Sequence, residues 1–394
     1  MIYNELKTPC FIVNKQSLDD AVFLLKSSLE KYWNNYIIGY SFKTNSLPWV
    51  VKWAKDNDLY AEVVSDDEYE LAKLIEFQET NIIYNGPIKS KETFIEALNN
   101  GCVVNIDTKR EIEWLKYLSS EKIYKVGVRV NFDLESICPT ESACGDEGGR
   151  FGFCYENGEL KKVIEEINSI SNISVCGIHL HCSSKTRSLN IYKAIAKMAC
   201  KIKNEYNIDF EYIDIGGGFF GGMENRPKFP DYLRIIGEIL KKTYDVNNTK
   251  IILEPGMSII GPAIDFVTSV IDVKDTTYNR FVVTDGSRIN IDPLMTKSTY
   301  FYDVIYQNKN RVEKEKQVVC GFTCMEHDRL FVLNNGNELA VGDKIIYHKV
   351  GAYTMCLSPL FIRYFPVVKL SDNGVLTDIR NKWDAKAYSQ YSSI

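Results

Sequence analysis

The chain has 394 residues, of which 45% are hydrophobic and 25% charged, a profile typical of a globular protein with room for two domains. The net charge of -5 and the lack of a basic stripe argue against nucleic acid as a partner, so we expect a small-molecule ligand. The N-terminal residues show no signal-peptide pattern, and no apolar run reaches membrane-spanning length, so the sequence predicts a cytoplasmic protein without membrane contact.

A short strand, CFIVN, begins at residue 10, and from about residue 36 short apolar runs alternate with amphipathic stretches. The runs read NYIIGYSFK, LYAEVVS, TNIIYNG, CVVNID, YKVGVRVNF, SVCGIHLHCSS, FEYIDIGGG and KIILEPG. Continuous apolar strands separated by helices indicate parallel pairing, and about eight such units predict a closed (β/α)8 TIM barrel, an α/β fold.

After residue 262 the segments become β-branched and aromatic and are broken by Gly, Asn and Asp turns. This pattern predicts a C-terminal β-sandwich or β-barrel domain. We therefore predict three parts: residues 1–27 with a strand that associates with the β domain, a barrel over 28–262, and the β domain over 263–394.

Cysteine is the next candidate for chemistry, with eleven residues scattered along the chain and no CxxC pair. In a reducing compartment such cysteines are mostly small, buried and apolar. Neither a disulfide framework nor a zinc site is therefore expected, and we predict no metal.

The C-terminal ends of barrel strands are where barrel enzymes carry their chemistry, so polar residues that close apolar runs are candidates. Lys43 closes IIGYSFK. A desolvated lysine offers a nucleophilic amine, although position alone favours a solvated lysine in a loop. The glycines of IDIGGG, among them Gly217 and Gly218, leave backbone N–H groups free for a phosphate.

Three further strands carry polar groups. HLHCSS places His179 and His181 on one face with Ser184 beyond, which favours ring stacking and a phosphate contact over a metal. Glu254 closes ILEPG and Arg129 lies inside VGVRVNF, and a buried charge needs a partner. For Arg129 a structural ion pair and a functional contact are both open. Together, an amine, a phosphate cradle, a stacking ring and a carboxylate are the parts that hold pyridoxal 5'-phosphate.

These segments resemble the fold type III pyridoxal-phosphate decarboxylases, the group of diaminopimelate, ornithine and arginine decarboxylases, almost from end to end. The similar motifs are YSFKTN, AEVVSDDEYELA, VRVNF, GRFGF, HLHCSS, IDIGGGFFG, EPG and GAYT. The resemblance implies that Lys43 forms the Schiff base with the cofactor and that His181 stacks on its ring. It implies further cofactor contacts at Glu62, Arg129, Ser184, Gly217, Gly218, Glu254, Gly256 and Tyr353.

The segment CMEHD resembles the family's C-E-x-x-D and C-D-x-x-D motif, whose cysteine enters the active site of the neighbouring subunit. The resemblance implies that Cys324 donates a proton to the substrate Cα and that Asp328 is a polar partner of the site. It also implies a homodimer with shared active sites. The catalytic set is then Lys43, His181, Glu254 and Cys324.

Three substrate-facing positions depart from the family pattern. Met257 follows EPG where arginine is usual, Met325 follows the cysteine where an acidic residue is usual, and Asp292 replaces an arginine before proline. These changes argue against a substrate with a second carboxylate, which would lose charge-assisted partners. The predicted substrate-binding residues are Asp292, Met325, Glu326 and Asp328.

We therefore predict a pyridoxal-phosphate-dependent decarboxylase that removes the α-carboxylate of an amino acid. A non-standard or modified amino acid is the first expectation. The alternatives are diaminopimelate or a basic amino acid such as ornithine, lysine or arginine, and a catalytically silent relative that binds a protein partner.

Overall fold

The computed structural model describes Tyr3 and residues 5–393. The chain divides into two compact units. One unit comprises the described residues up to Asp20 together with those from Ile259 onwards, and the other is Ala21–Ser258. The sequence predicted divisions after residues 27 and 262.

The Ala21–Ser258 unit is a closed parallel barrel. Strand β1 (Cys10–Asn14) precedes it, and its own strands are β2 (Tyr36–Ser41), β3 (Tyr60–Val63), β4 (Ile82–Tyr84), β5 (Val103–Ile106), β6 (Tyr124–Asn131), β7 (Phe153–Cys154), β8 (Ile173–His179), β9 (Tyr212–Asp214) and β10 (Lys250–Leu253). Eight strands pair in the order β2–β3–β4–β5–β6–β8–β9–β10, and β10 pairs with β2 to close the ring. Strand β7 pairs with β6. The predicted TIM barrel is confirmed.

Helices separate the barrel strands along the chain. They are α1 (Lys15–Tyr32), α2 (Pro48–Asp56), α3 (Asp66–Leu74), α4 (Lys91–Asn99), α5 (Lys109–Trp114), α6 (Leu134–Ile137), α7 (Glu159–Asn168), α8 (Leu189–Tyr206) and α9 (Phe229–Leu240). Helix α7 shows why they pack on the barrel, because its buried residues Leu160, Val163, Ile164 and Ile167 follow the i, i+3, i+4, i+7 spacing of one helix face. No helix in the described part of the chain is long and apolar enough to span a membrane.

The other unit is a β domain. Its remaining elements are α10 (Met257–Ile260), which begins two residues before the division, β11 (Ile264–Asp275), β12 (Arg280–Thr284), α11 (Arg288–Ile291), β13 (Phe301–Ile305), β14 (Glu313–Cys320), β15 (Arg329–Asn337), β16 (Lys344–His348), β17 (Val367–Asp372), β18 (Val375–Arg380) and α12 (Ala385–Tyr388). The sheet runs β15–β14–β12–β11–β1–β17–β18, and β16 pairs with both β11 and β13. Strand β1 lies antiparallel to β11 and parallel to β17, so the N-terminal strand completes the sheet built by C-terminal residues.

A polar clamp joins three strands of this sheet. His348 of β16 lies between Asp265 of β11, with 3.0 Å from Nδ1 to Oδ1, and Asp303 of β13, with 3.1 Å from Nε2 to Oδ2. The hydrogen bond to Asp265, followed by the attraction of both carboxylates, raises the pKa of His348 above its ordinary value against the opposing effect of partial burial. The charged imidazole is therefore the form that the folded protein favours.

We expect His348→Gln to lower the free energy of unfolding by about 1 kcal/mol or less near pH 5.5, because the pair is partly exposed. A raised folded-state pKa stabilises below the unfolded value of about 6.5, and this contribution disappears as the pH rises through the folded pKa. The loss should thus shrink near about pH 9. Urea unfolding at both pH values measures the loss of stability. The control is His327→Gln, a substitution at an exposed histidine. An equal loss at both pH values would contradict the clamp.

Candidate active site

The turn Phe42–Thr44 after β2 positions Lys43. Phe42 and Thr44 are buried, whereas the Lys43 side chain is 36% exposed. Gly256 allows the neighbouring chain to pack against this turn, because a Cβ there would lie 2.0 Å from Thr44 Oγ1. Phe42 and Thr44 therefore anchor the turn by their burial, and Lys43 between them is its partly exposed residue.

Glu62, at the C-terminal part of β3, is the partner of Lys43. Lys43 Nζ donates to Glu62 Oε2 at 2.6 Å, and Ser41 Oγ donates to the same oxygen. Asn85 Nδ2 donates to the other oxygen at 3.0 Å. A fully buried carboxylate needs such donors to stay charged, and Glu62 has three of them.

Glu254 follows β10 and is buried among polar groups. His179 Nε2 lies 3.6 Å from Glu254 Oε2, and Asn85 Nδ2 donates to Oε1. Burial opposes ionisation, but the attraction of His179 and Lys43 outweighs it and lowers the pKa of Glu254 below its ordinary value. Burial, followed by repulsion from Glu254, raises the pKa of nearby Asp214 well above its ordinary value. Glu254 thus carries the negative charge and Asp214 the proton.

Glu254, His179 and Asp214 also stand close enough to share a ligand, since their ligand atoms all lie within 4.8 Å of one another. Asp214 accepts from Gly216 N at 2.9 Å and from Asn105 Nδ2 at 3.4 Å, so internal donors already engage its two oxygens. The prediction that this chain binds no metal stays a prediction.

The imidazole of His181 lines a cavity and is uncharged. The surrounding protein lowers the pKa of His181 to about 3 through burial. Gly217 N donates to Nδ1 at 3.2 Å, so Nδ1 is an acceptor and the ring proton belongs on Nε2. Gly216, at a φ of +75°, would place a Cβ 2.4 Å from Nδ1. The glycine run is therefore needed for the backbone to lie against this flat ring.

Arg129 of β6 forms the buried ion pair that the sequence left open. Its Nη1 donates to Asp107 Oδ2 at 2.8 Å, and Asp107 Oδ1 accepts from Gly152 N at 2.8 Å. Arg129 Nε has no hydrogen-bond partner among the described residues, although it is buried. Asp107 therefore connects the Arg129 side chain of β6 with the backbone N–H of Gly152, one residue before β7.

A cavity of about 960 Å³ opens beside Arg129 and His181. Its walls come from residues 129–136, 142–151 and 181–183, all in the barrel unit. Binding cavities for small molecules typically measure about 300–1,000 Å³, so this volume suits a small-molecule ligand. Ser184 lies just beyond and accepts a hydrogen bond from Arg187 N at 3.0 Å.

The remaining predicted site residues belong to the β domain. Cys324 is exposed in the turn between β14 and β15, and Tyr353 is 39% exposed. Asp328 is buried and shapes the turn of Cys324, since it accepts from Ser287 Oγ at 2.8 Å and from Thr323 Oγ1 at 2.7 Å. The roles of Cys324 and Tyr353 toward substrate and cofactor stay predictions.

Two carboxylates that we predicted to bind substrate are engaged within the β domain. Asp292 is buried and accepts from Arg288 Nε at 2.9 Å, Lys297 N at 3.0 Å and Tyr300 OH at 3.2 Å. Asp328 is similarly enclosed. Either carboxylate would have to give up one of these donors to bind a substrate. Glu326 is fully exposed and Met325 half-buried.

The structure also brings together polar residues that the sequence reasoning passed over, namely Asn85, Asn105, Asp107 and Asp214. Each closes or interrupts an apolar run, in IIYN, VVNID and YID. The rule that selected Lys43 and Glu254 would have selected them too, had single polar residues inside a run been counted.

Comparison with known proteins gives the family. Residues 22–261 match the family model described as pyridoxal-dependent decarboxylase, pyridoxal binding domain, which is more than half of the chain. The chain belongs to the pyridoxal-dependent decarboxylases. As predicted, it is a carboxy-lyase that acts on an amino acid with pyridoxal phosphate as cofactor, and the alternative of a catalytically silent binding protein has no support.

Similar proteins span nearly the whole chain. The diaminopimelate decarboxylase of Aquifex aeolicus is 24% identical over 383 residues, which cover 95% of this chain and 89% of that protein. The probable chloroplastic diaminopimelate decarboxylase of Oryza sativa is 26% identical, with 95% and 77% covered. The crystal structure of the M. jannaschii diaminopimelate decarboxylase has a TM-score of 0.87 at 20% identity and covers 100% of this chain and 94% of that one. This structural likeness indicates a common fold.

The residues of the barrel unit fit pyridoxal phosphate. Glu254 is an ionised carboxylate, His181 an uncharged flat ring, and Gly217 a backbone position with no room for a side chain, because a Cβ would lie 2.2 Å from Glu254 O. The buried Nε of Arg129 and both ring nitrogens of His179 have no hydrogen-bond partners among the described residues. Such unmatched polar groups are costly unless a ligand uses them.

We expect Asp107→Ala to lower the free energy of unfolding of the cofactor-free protein by about 3–5 kcal/mol, because Arg129 becomes a buried charge without its carboxylate. Urea denaturation measures the loss. The matched control is Glu211→Ala, which breaks the exposed pair with Lys125 and should cost about 1 kcal/mol at most. Equal losses in the two variants would show that the Arg129 pair is not a buried one.

Proposed function

We propose that this enzyme removes the α-carboxylate of diaminopimelate or of an amino acid of similar size. The observation that carries the reaction type is the placement of the Lys43 amine and the Glu254 carboxylate at the ends of the paired strands β2 and β10. Glu62 and Asn85 connect the two through hydrogen bonds. The names of the relatives from Aquifex aeolicus and Oryza sativa support diaminopimelate as the first candidate.

The cofactor, when bound, supplies an electron sink for the electron pair left on the substrate Cα as carbon dioxide leaves. Lys43 Nζ would hold it covalently, and Glu62 Oε2 is placed to hold a proton of that amine. Glu254, which His179 and Lys43 keep ionised, would pair with the ring nitrogen and keep its proton in place. The neutral imidazole of His181 would pack on the ring face without competing for that proton.

The phosphate end would bind at the glycine run. Gly217 N donates to His181 Nδ1, so Gly218 is the glycine whose backbone N–H would bind the phosphate, and Ser184, like His181, follows strand β8. Arg129 has an unmatched N–H at the adjoining cavity, which would bind an oxygen of the cofactor or the substrate. These contacts would fix the phosphate end of the cofactor relative to His181.

The earlier expectation of a modified amino acid has no support among the relatives, so diaminopimelate takes its place. One observation favours a basic amino acid as the second candidate. Asp292 is a buried carboxylate saturated by its own donors, and it supplies no positive charge for a second carboxylate on the substrate. Met257 and Met325 are uncharged as well. Lysine, ornithine or arginine would not require that charge.

We further propose that Cys324 donates the proton to Cα and that the chain is a homodimer in which this thiol serves a shared site. The exposure of Cys324 on a turn fixed by Asp328 supports a thiol that meets a partner. The eleven free cysteines support a cytoplasmic location, where thiols stay reduced.

The substrate proposal is tested by adding diaminopimelate, lysine, ornithine, arginine and glutamate separately to the holoenzyme and measuring carbon dioxide. We expect release from diaminopimelate and a loss of about 10²–10⁴-fold or more in Lys43→Ala, which also loses the absorbance of bound cofactor. Lys52→Ala, at an exposed lysine of α2, should keep full activity. Release from a basic amino acid alone would replace diaminopimelate by the second candidate.

The shared-site proposal is tested by mixing two inactive variants, Lys43→Ala and Cys324→Ala. In randomly exchanged dimers half of the molecules would combine one subunit of each kind, and one of their two sites would be intact, so about one quarter of the wild-type activity should return. Carbon dioxide release after subunit exchange measures the recovered activity, and analytical ultracentrifugation gives the oligomeric state. No recovery from dimers shown to exchange would contradict a site that both subunits build.

A further inference from the structure

Asn85, directly after β4, is buried and has no polar hydrogen or acceptor atom left unused. Its Nδ2 donates to Glu62 Oε1 at 3.0 Å and to Glu254 Oε1. Its Oδ1 accepts from Asn105 Nδ2 at 2.8 Å. One uncharged side chain thus connects the carboxylate that holds Lys43 with the carboxylate of β10.

The chemistry of this position calls for an amide. Two carboxylates that face one side chain require two donors, and a primary amide offers two N–H bonds without a charge of its own. An aspartate would bring a third negative charge into the same buried space, and leucine would offer no donor. The two N–H groups of Asn85 are therefore matched to its two carboxylate neighbours.

We propose that Asn85 is a positioning residue that keeps Glu62 and Glu254 ionised together, and thereby sets the charge at both the Lys43 end and the ring-nitrogen end of the cofactor. This inference rests on the proposed cofactor contacts of Lys43 and Glu254. Hydrogen bonds to a carboxylate favour its charged form, and in a buried site each such bond counts for more than in water.

Glu254 depends on Asn85 more than Glu62 does. Glu62 Oε2 keeps Lys43 and Ser41 as donors when Asn85 is removed. Glu254 would keep the attraction of His179, at 3.6 Å from Oε2, and of Lys43, together with a hydrogen bond from Asp214. Burial would then favour the protonated form of Glu254 at higher pH than in the wild-type protein.

The barrel fixes the orientation of Asn85 through a second amide. Asn105 Oδ1 accepts from Tyr212 OH at 2.8 Å. Two glycines leave the space for this contact: a Cβ at Gly127 would lie 1.9 Å from Asn105 Oδ1, and one at Gly177 would lie 2.2 Å from Tyr212 Cζ. With its Oδ1 committed to Asn105, Asn85 must turn its amide nitrogen toward the two carboxylates.

The test uses Asn85→Leu and, because Leu leaves two acceptors unmatched and folding can fail, Asn85→Asp as a variant of native volume. The absorbance spectrum of the holoenzyme is recorded as a function of pH, and the affinity of the cofactor-free protein for pyridoxal phosphate is measured by equilibrium dialysis. We expect the spectral change on acidification to begin at least about one pH unit higher than in wild type in both variants. Affinity should fall about tenfold or more.

Tyr244→Phe is the matched control, because it removes a buried hydrogen bond of the same barrel unit, from Tyr244 OH to Ala199 O at 2.8 Å, that lies outside the chain of side chains around Asn85. It should lower the urea midpoint of the cofactor-free protein and leave the spectral titration unchanged. A wild-type titration in the variants of Asn85, or an equal shift in Tyr244→Phe, would overturn the inference. If wild-type protein bound no cofactor, the proposed function itself would fail, which is a separate and recognisable result.

Discussion

The burial of three carboxylates in one barrel is the constraint on which the site depends. Glu62, Asp214 and Glu254 are almost completely enclosed, and a buried charge without a partner is too costly to keep. Each carboxylate is stabilised in a different way: Glu62 by the ammonium group of Lys43, Asp214 by a bound proton, and Glu254 by the imidazole of His179 and the amide of Asn85. The Lys43 amine and the Glu254 carboxylate, which we propose as cofactor contacts, are therefore parts of a single electrostatic arrangement.

Parallel strands make that arrangement possible. Because the eight strands run in one direction, the residues that follow them emerge at the same end of the barrel, where Lys43, Asn85 and Glu254 meet although they are far apart in the sequence. The close packing of the segments that follow the strands has a steric requirement as well. Gly217 and Gly256 are positions at which a side chain would collide with Glu254 or Thr44, so packing alone requires glycine there.

The sequence predicted the barrel, the cofactor and the family because these depend on strand periodicity and on polar residues at strand ends, both visible in a linear pattern. It missed Asn85 and Asn105 because a single uncharged polar residue in an apolar run does not by itself indicate a function. In the closed barrel such residues from neighbouring strands come together and form hydrogen bonds. It predicted from motif spacing that Asp292 and Asp328 bind substrate, and this stays a prediction, because spacing does not reveal which way a side chain points in an irregular segment. In the structure both are buried, and they accept hydrogen bonds from the backbone N–H groups of Lys297 and Arg288, respectively.

The buried carboxylate network and the cavity walls differ in their exposure to solvent. The carboxylate network is buried, and each member limits the others, so a change at Glu62 or Glu254 would disturb the charge of the whole group. The cavity walls, by contrast, consist largely of exposed residues of irregular segments such as 142–151, where a substitution leaves the network intact. At 24–26% identity a relative therefore informs the chemistry at Cα more strongly than the recognition of the distal end of the substrate. That difference is why the choice between diaminopimelate and a basic amino acid requires a direct measurement, whereas the choice of decarboxylation follows from the family and from the arrangement of its buried charges.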